Sequence, residues 1–339
     1  MSPADALDRV VYLLDRALAE GRRVQAYAKA RDLVRELGDD AIAQHQADGT
    51  LLDLPGIGPS TSKVIAMALE GGIDEYLEKL DGETAIEVGE GADLRSALKG
   101  DCHSHTLWSD GGAPTEVMAR TAQELGHEYL VVTDHSPRLT IAHGLNRERL
   151  LQQLDEIEAL NEQLMSSPAP FRILTGMEVD ILEDGSLDQD LDLLERLDVV
   201  VASVHSKLRM PEQEMTRRMV MAVASPHVDI LGHCTGRKVV GTGRPQSQFD
   251  ADIVFAACAQ FGTAVEINCR PERQDPPEEL LQLALDWDCR ISIDTDAHAP
   301  GQLEWQTYGC DKAARMGIEP ERIVNTMSAD DLLAWTESH

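Results

Sequence analysis

The pattern of hydrophobic and polar positions changes near residue 99. Before that point, apolar residues recur at helical spacing over residues 3–37, in two stripes separated by a break at Gly21. This spacing predicts two amphipathic helices at the start of the chain. After residue 99, short apolar or β-branched runs alternate with longer helical stretches, an alternation that is typical of parallel strands joined by helices.

Seven of these runs predict β-strands. They cover residues 99–103, 129–133, 172–179, 199–204, 228–231, 264–267 and 290–294, and helical patterns lie between them at 147–165, 187–197, 211–224, 250–261 and 277–287. Seven strands in about 235 residues suit a (β/α) barrel better than an open sheet. We therefore expect an α/β barrel over residues 99–339, a small helical domain over residues 1–80, and a linker over residues 81–98.

The charge of the chain narrows its possible partners. It carries 60 acidic and 30 basic side chains, a formal net charge of −30. Such a protein repels a polyanion at long range, which argues against a general nucleic-acid coating protein and favours a solvated acidic surface. No apolar run approaches the ~18–20 residues that a membrane span needs, and the acidic start is unlike a signal peptide. We expect a cytoplasmic protein without membrane contact.

The segment LPGIGPSTSKVI joins two predicted helices. Its glycines, Gly56 and Gly58, lie two residues apart ahead of a helix that we expect Ser60 or Thr61 to cap. Amides that point outward at such a turn hold phosphate groups. The alternative is a tight helical hairpin that binds nothing, and the many acidic residues over 40–95 favour it.

Imidazole and carboxylate side chains follow the predicted strands. Nine of them can serve as metal ligands: His103, His105, Asp110, His135, Glu178, His205, His233, Asp296 and His298. The carboxyl ends of parallel barrel strands converge on one face, and positions i and i+2 point the same way. Nitrogen and oxygen ligands without thiolates suit zinc, manganese or iron. Nine are too many for one ion, so we expect two or three ions that share Glu178 and hydrolyse a phosphate ester.

The motifs DxHxH, SDG, TDHS, GxEVD, SVH, GHxTGR and DTDAH, in this order, resemble the PHP (polymerase and histidinol phosphatase) superfamily. The similarity runs from about Lys99 to the C-terminus and is greatest to the C-terminal PHP domain of bacterial family X DNA polymerases. It implies a distorted (β/α)7 barrel with three divalent metal ions. The implied ligands are His103, His105, Glu178 and Asp296 for the first metal, Glu178, His205 and His233 for the second, and Asp110, His135 and His298 for the third.

The resemblance also implies residues for substrate and proton handling. Arg237 matches a family arginine that we assign to the substrate phosphate, with an ion pair at the rim as the alternative. Asn268 and Arg273 lie in a further matching stretch and are weaker candidates for phosphate contact. Asp134 or His143 could relay protons, although three metals need no separate protein base.

The N-terminal segment resembles the helix-hairpin-helix domain that opens family X polymerases. The matching stretches are AYAKARDLV and LPGIGPSTSKVI. In that alignment Lys29 corresponds to a lysine that contacts phosphate, and Gly56, Gly58 and Lys63 are the expected contacts to a DNA backbone. The match implies a small all-α domain that grips DNA.

Two departures from these polymerases limit the expected activity. Fewer than thirty residues separate Gly72 from Asp101, which leaves no room for the palm domain with its catalytic aspartates. We therefore expect no polymerase activity. The lysine that forms a Schiff base in some relatives falls on Val64, and the adjacent Lys63 would point about 100° away on the helix. Lyase activity is therefore not expected.

Three hypotheses about function follow. The first is a metal-dependent phosphoesterase at DNA ends, a 3′–5′ exonuclease or 3′-phosphatase in DNA repair. The second is a phosphatase for a small phosphomonoester such as histidinol phosphate, which the acidic surface favours. The third is a non-catalytic DNA-repair scaffold, against which the intact ligand set argues. Steep salt dependence would separate a DNA-end enzyme from a small-molecule phosphatase.

Overall fold

The computed structural model describes residues 1–166 and 169–338. The chain divides into two compact units, Met1–Glu87 and Val88–His339. Among the described residues, no helix is both long and apolar enough to cross a membrane.

The first unit is all helical. Its helices are α1 (Pro3–Arg16), α2 (Gly21–Leu37), α3 (Asp39–Ala47), α4 (Pro59–Glu70) and α5 (Ile73–Thr84). The Ser2 side chain caps α1 by accepting the Asp5 N–H at 3.1 Å. Apolar side chains of α1 form the centre of the core, where Leu7 and Leu14 are fully buried. The amphipathic stripes of the sequence therefore face one shared core.

The turn before α4 differs from the expected cap. Gly58, rather than Ser60 or Thr61, precedes the helix. The Gly58 N–H donates to the Thr61 hydroxyl at 2.9 Å, and that hydroxyl donates to the Gly58 carbonyl at 3.1 Å. Gly56 has a φ of +92°, a conformation that favours glycine. Because the Gly58 amide is used within the turn, we correct its expected role as a phosphate contact.

Helix α5 extends beyond the expected domain end at residue 80. Arg16, only 6% exposed, donates to the Asp81 carbonyl at 2.7 Å and to the Thr84 hydroxyl at 2.7 Å. These bonds attach the last turn of α5 to α1. Residues 81–84, which the sequence placed in a linker, are therefore part of the helical unit.

The second unit is built on seven parallel strands. They are β1 (Gly100–Asp101), β2 (Tyr129–Val132), β3 (Arg172–Asp180), β4 (Val199–Ser203), β5 (Ile230–Leu231), β6 (Ala264–Asn268) and β7 (Ile291–Asp294). Each strand pairs in parallel with the next one along the chain. The helices of this unit are α6 (Ala92–Ala97), α7 (Thr115–Glu124), α8 (Arg147–Met165), α9 (Leu191–Leu194), α10 (Glu212–Val223), α11 (Ala251–Phe261), α12 (Glu278–Asp286), α13 (Gln306–Arg315) and α14 (Ala329–Thr336). The predicted seven-stranded α/β architecture is confirmed.

The two edges of the sheet meet and nearly close the barrel. The Cys102 N–H donates to the Asp294 carboxylate at 2.8 Å, and the His105 N–H donates to the Ala297 carbonyl at 2.8 Å. The strands are buried on both faces, which explains their continuous apolar runs. Closure brings the loop after β1 beside the loop after β7.

The segment before β1 belongs to the barrel unit. The amides of Gly89 and Gly91 donate to the Asp311 carboxylate on α13, at 3.1 Å and 2.8 Å. A Cβ on Gly91 would lie 2.4 Å from the backbone nitrogen of Asp311, so only glycine allows this approach. Residues 89–97 are thus packed structure, where the sequence suggested a linker.

Candidate metal centre

The structure brings all nine predicted ligands together at the carboxyl ends of the strands. Glu178, near the end of β3, lies at the centre and is 1% exposed. Its carboxylate oxygens face five imidazoles: His103 Nε2 at 3.5 Å, His105 Nε2 at 3.6 Å, His135 Nδ1 at 2.9 Å, His205 Nε2 at 3.2 Å and His233 Nε2 at 2.8 Å. One carboxylate therefore connects ligands from four different loops.

Electrostatics around Glu178 favour its ionised form. Burial raises the pKa of this carboxyl, but the imidazoles of His205 and His103 and their neighbours outweigh burial and hold it well below its usual range. In the opposite direction, burial lowers the pKa of His205, yet Glu178 and Asp180 raise it to about 9. The centre therefore favours a carboxylate anion at Glu178 among closely spaced imidazole nitrogens.

The outer corner of the centre is formed by Asp110 and His298. Asp110 Oδ1 lies 3.3 Å from His298 Nε2 and 3.5 Å from His135 Nε2. The His105 ring lies between them, with its centroid 4.2 Å from that of His298 and 4.4 Å from that of His135. Asp110 is 35% exposed and His298 22% exposed, so this corner is the part of the centre that solvent reaches most easily.

Asp296 connects the centre to the loop after β6. Its Oδ1 lies 3.4 Å from His105 Nε2, and its Oδ2 accepts from Asn268 Nδ2 at 3.1 Å and lies 3.2 Å from Arg273 Nε. Asp296 has a φ of +52°, and His233 has a φ of +20°. Non-glycine residues at positive φ are strained, and such strain concentrates at functional sites.

Three groups of residues offer potential ligand atoms, and the atoms within each group lie within 4.8 Å of one another. The groups are His105 with Asp110, His135 and His298; His103 with His105 and Glu178; and His135 with Glu178 and His205. The assignment implied by the family differs in four details, two of which are that His233 and Asp296 lie outside all three groups. His135 lies with Glu178 and His205 in addition to its outer-corner partners, and His105 belongs to two groups. These two imidazoles therefore lie between neighbouring groups.

The unpaired atoms of the centre fit divalent cations. His103 Nε2 and both nitrogens of His105 and His205 are buried and have no hydrogen-bond partner among the described residues. Buried polar atoms without partners are costly and rare in folded proteins. A bound cation would satisfy one nitrogen of each of these imidazoles, and imidazole with carboxylate is a ligand set that suits zinc, manganese or iron.

Sequence reasoning missed the carboxylates behind the imidazoles. Glu266 on β6 accepts a hydrogen bond from His103 Nδ1 at 2.6 Å, and Asp180 lies 3.5 Å from His205 Nδ1. Burial raises the pKa of Glu266 to about 7, while His103 acts to lower it. A carboxylate that accepts from the second ring nitrogen, as Glu266 does from His103, orients a metal-binding histidine. The signal was present, because Glu266 is an acidic residue inside the apolar strand AVEIN.

Arg270 is a second omission. Its Nη1 donates to the Asp296 carbonyl at 2.8 Å and lies 2.8 Å from His298 Nδ1. Its Nε and Nη2 donate to Glu272, and the guanidinium carbon lies 5.4 Å from the Trp305 ring centre. A fixed cation therefore contacts two of the nine ligand residues.

Asp134 is buried and accepts hydrogen bonds from residues of the loop after β1. Its carboxylate accepts the Thr106 N–H at 2.8 Å, the Thr106 hydroxyl at 2.6 Å, the Ser109 N–H at 3.1 Å, the Ser109 hydroxyl, and Gln153 Nε2 at 2.6 Å. Five donors occupy the oxygens that a proton relay would use. We therefore correct the predicted relay role of Asp134 to a structural one.

The other predicted substrate residues fall into two sets. Asn268 and Arg273 contact Asp296, at the edge of the centre. Arg237 instead donates to the backbone carbonyls of Arg273 and Gln274. These bonds give Arg237 Nε and Nη2 a role in holding this loop, while its predicted phosphate contact stays a prediction.

His143 lies in the exposed loop after β2, with a φ of +56°. It lines a cavity of about 470 Å³ together with Leu107, Ser109 and Arg149. Its carbonyl accepts a bond from Arg149. His143 thus lines the same cavity as Ser109, the residue that precedes Asp110.

Comparisons with known proteins agree on one family. Residues 101–269 match the PHP domain. A probable phosphatase of Acetivibrio thermocellus is 30% identical over 207 residues, which cover 58% of this chain and 78% of that protein. The chain belongs to the PHP family. Membership confirms the predicted class, a metal-dependent hydrolase of phosphate esters.

Two further relatives and one solved structure extend this PHP comparison. The DNA polymerase/3′-5′ exonuclease PolX of Bacillus subtilis is 38% identical over 263 residues, 78% of this chain and 43% of that protein. The chain thus spans less than half of that relative. A probable phosphatase of Thermoanaerobacter sp. is 27% identical, covering 67% of this chain and 89% of that protein. The structure of histidinol phosphate phosphatase from Lactococcus lactis, complexed with zinc, L-histidinol and phosphate, aligns with a TM-score of 0.44 at 18% identity, covering 65% of this chain and 94% of that one.

Proposed function

We propose that this PHP protein hydrolyses phosphate esters at DNA ends, as a 3′–5′ exonuclease or 3′-phosphatase in DNA repair. The observation that carries the proposal is the position of Glu178, a buried carboxylate that faces five imidazoles within 3.6 Å. Glu178 and the imidazoles around it would hold divalent cations in this arrangement. In the proposal, the nine ligand residues hold up to three divalent ions, zinc, manganese or iron.

Divalent cations at such a centre supply activated water and positive charge for the phosphate oxygens. The protein's own residues prepare their ligands. Glu266 orients His103, Asp180 accepts the backbone N–H of His205, and Asn268 with Arg273 holds Asp296 in place. The phosphate enters at Asp110 and His298, since these are the most exposed of the ligand residues.

Support for a DNA substrate comes from similarity and from the helical unit. The match to the Bacillus subtilis polymerase and exonuclease covers 78% of this chain. Lys29 and Lys63 are exposed, as a contact to a DNA backbone requires. Val64 is buried in the helical core at 1% exposure, which leaves no lysine there for lyase chemistry. We propose no polymerase activity for this chain.

A small phosphomonoester such as histidinol phosphate is the second candidate substrate. It is favoured by the probable phosphatases whose length this chain covers to 78–97% and by the net charge of −30, which repels long polyanions. A non-catalytic scaffold is disfavoured, because a protein that only binds DNA needs no buried cluster of unpaired imidazole nitrogens.

The test is a substrate screen of the metal-loaded protein. Equal concentrations of 3′-phosphorylated DNA, unmodified single-stranded DNA and histidinol phosphate are compared by phosphate release and by gel analysis of the DNA. The proposal predicts the highest kcat/KM on DNA and loss of turnover in Glu178→Gln. Preference for histidinol phosphate would support the second candidate. Turnover on none of the three, with metal bound, would contradict both.

A further inference from the structure

Basic side chains are concentrated in one sector of the barrel mouth, although the chain is strongly acidic. Residues 207–209 and 237–244 contain no acidic residue and hold five of the 30 basic ones: Lys207, Arg209, Arg237, Lys238 and Arg244. An acidic surface already provides solubility, so this local reversal of charge needs another reason. Clustered cations repel one another, and an anionic partner relieves that repulsion.

The centre of the sector is a short hairpin, residues 238–244, which we name the basic hairpin. Lys238 and Arg244 exchange backbone hydrogen bonds at 2.9 Å and 2.8 Å, and Arg244 Nε donates to the Gly236 carbonyl at 2.6 Å. Gly241 and Gly243 have φ values of +72° and +65°, which allow the tight turn. The backbone is therefore defined while the Lys238 side chain stays exposed.

The basic hairpin is packed against its neighbours in the strand order. It follows β5, whereas Lys207 and Arg209 follow β4. A Cβ on Gly236 would lie 2.8 Å from Leu208 Cδ2, so the loop after β4 lies directly against the base of the hairpin. The sector is thus one continuous surface made by two adjacent loops.

The sector continues to the metal centre through the loop after β6. The Val239 N–H donates to the Glu272 carbonyl at 2.7 Å. Arg270 and Arg273, on either side of Glu272, lie 3.7 Å and 3.2 Å from the carboxylate of Asp296. Arg273 and Arg270, the latter also paired with Glu272, therefore lie between the ligand Asp296 and the basic hairpin.

The neighbouring part of the mouth, on the β3 side of β4, has the reverse charge. A cavity of about 470 Å³ beside His205 is lined by Asp180, Glu183 and Asp184, with Arg138 as its single basic side chain. Asp180 ends β3, and Glu183 and Asp184 follow it, so these acids lie on the other side of β4 from the basic hairpin. Phosphates that extend beyond the centre are repelled on that side and attracted on the hairpin side.

We propose that the basic hairpin docks the phosphodiester backbone of a DNA strand whose terminal phosphate lies at the metal centre. The inference rests on the proposed function. It names the surface that would bind a DNA strand but not a small phosphate ester. A monoester occupies the centre alone, whereas the internal phosphates of a strand extend over Lys238 and the loop that carries Lys207. Each phosphate contact releases counterions and adds to the salt dependence of binding.

The test uses Lys238→Gln, with Lys99→Gln as the matched control. Lys99 is also exposed, at 42%, and pairs with Glu128 before β1, at the end of the barrel away from the ligands. Binding of a fluorescent single-stranded oligonucleotide with hydrolysis-resistant phosphorothioate linkages to the metal-loaded protein is measured by anisotropy from 50 to 200 mM salt. We expect Lys238→Gln to weaken binding about fivefold and to lower the salt slope by about 1, with no such change in the control. Equal behaviour of the two variants, or no binding by the unmodified protein, would overturn the proposal.

Hydrolysis separates this proposal from the proposed function. The ratio of kcat/KM for a 3′-phosphorylated oligonucleotide over p-nitrophenyl phosphate is expected to fall about fivefold in Lys238→Gln. An unchanged ratio would overturn the docking site. If the unmodified protein hydrolyses p-nitrophenyl phosphate while both variants bind DNA alike, the docking site is contradicted and the phosphoesterase function is supported. If it hydrolyses neither substrate but Lys238→Gln alone loses DNA affinity, docking stands and the proposed function fails.

Discussion

Glu266 Oε1 lies 2.6 Å from His103 Nδ1, with both side chains fully buried. The same carboxylate accepts the backbone N–H of His233. With Nδ1 held in this way, His103 Nε2 is directed toward Glu178, 3.5 Å away. A single acidic residue on β6 thus fixes two of the nine ligand residues, and its removal tests whether that orientation matters for metal binding.

Glu266→Gln is expected to weaken metal binding without removing a ligand. The amide keeps the size of the side chain but loses the charge that orients His103, and such changes weaken metal affinity by about ten- to hundredfold. Competition of zinc between the protein and a chromogenic chelator measures this. Glu128→Gln, a change at an exposed pair with Lys99, is the control. Affinity within twofold of the unmodified protein would contradict the orienting role.

Asp134→Asn separates a structural role from a proton relay. An amide can accept at one oxygen only, so its NH2 group would face donors from Thr106 and Ser109. We expect a loss of about 2–4 kcal/mol in the free energy of unfolding, measured by denaturant titration. Unchanged stability together with lost turnover would instead indicate the proton relay.

Asp15 predicts a pH-dependent stability of the helical unit. Burial raises the pKa of Asp15 to about 6, although Arg31 acts to lower it. The folded state therefore binds this proton more tightly than the unfolded state, where the pKa is 3.8. The associated stability is fully present below about pH 4 and is lost as the pH rises through 6.

Asp15→Asn removes this titration. At pH 7 it is expected to raise the free energy of unfolding by about 1–2 kcal/mol, because an ionised group no longer has to be buried. At pH 3.5, where Asp15 is protonated, the free energies of unfolding of Asp15→Asn and the unmodified protein should differ by less than the gain at pH 7. Denaturant titrations at both pH values measure the difference, and an equal gain at both would show that ionisation is not the cause.

The fragment 88–339 tests whether the barrel unit hydrolyses phosphate esters without the helical unit. It retains all seven strands and all nine ligand residues. If the helical unit binds DNA, the fragment should hydrolyse p-nitrophenyl phosphate at the full-length rate within about twofold. Its kcat/KM on DNA should fall about tenfold or more. Equal losses on both substrates would argue that the helical unit supports the barrel rather than the substrate.

Much of the fold was predictable because burial leaves a simple pattern. Strands such as β2 and β4 are buried on both faces and read as short apolar runs, and the helical pattern at 147–165 coincides with α8. The turn before α4 was less predictable, because glycine has no side chain to indicate a cap. There Thr61 bonds back to Gly58 from inside the helix, a choice that depends on local geometry.

The candidate site was only partly predictable for a related reason. Histidines in strand-end loops stand out in a sequence, so Glu178 and its five imidazole partners could be grouped by strand position. The roles of Asp134 and Arg237 could not be predicted, because a buried carboxylate or guanidinium can either take part in catalysis or hold a loop in place. Only the hydrogen bonds to Thr106 and to the Gln274 carbonyl show that each of them holds a loop.

The central claim is that Glu178 connects bound cations at the mouth of the barrel. Anomalous diffraction from crystals grown with manganese tests it most directly, since the peaks locate each ion independently of the protein atoms. The account predicts at least two peaks, with the Glu178 carboxylate between them and imidazoles from His103, His205 or their neighbours on each. Full occupancy of manganese elsewhere, with no peak beside Glu178, would contradict it.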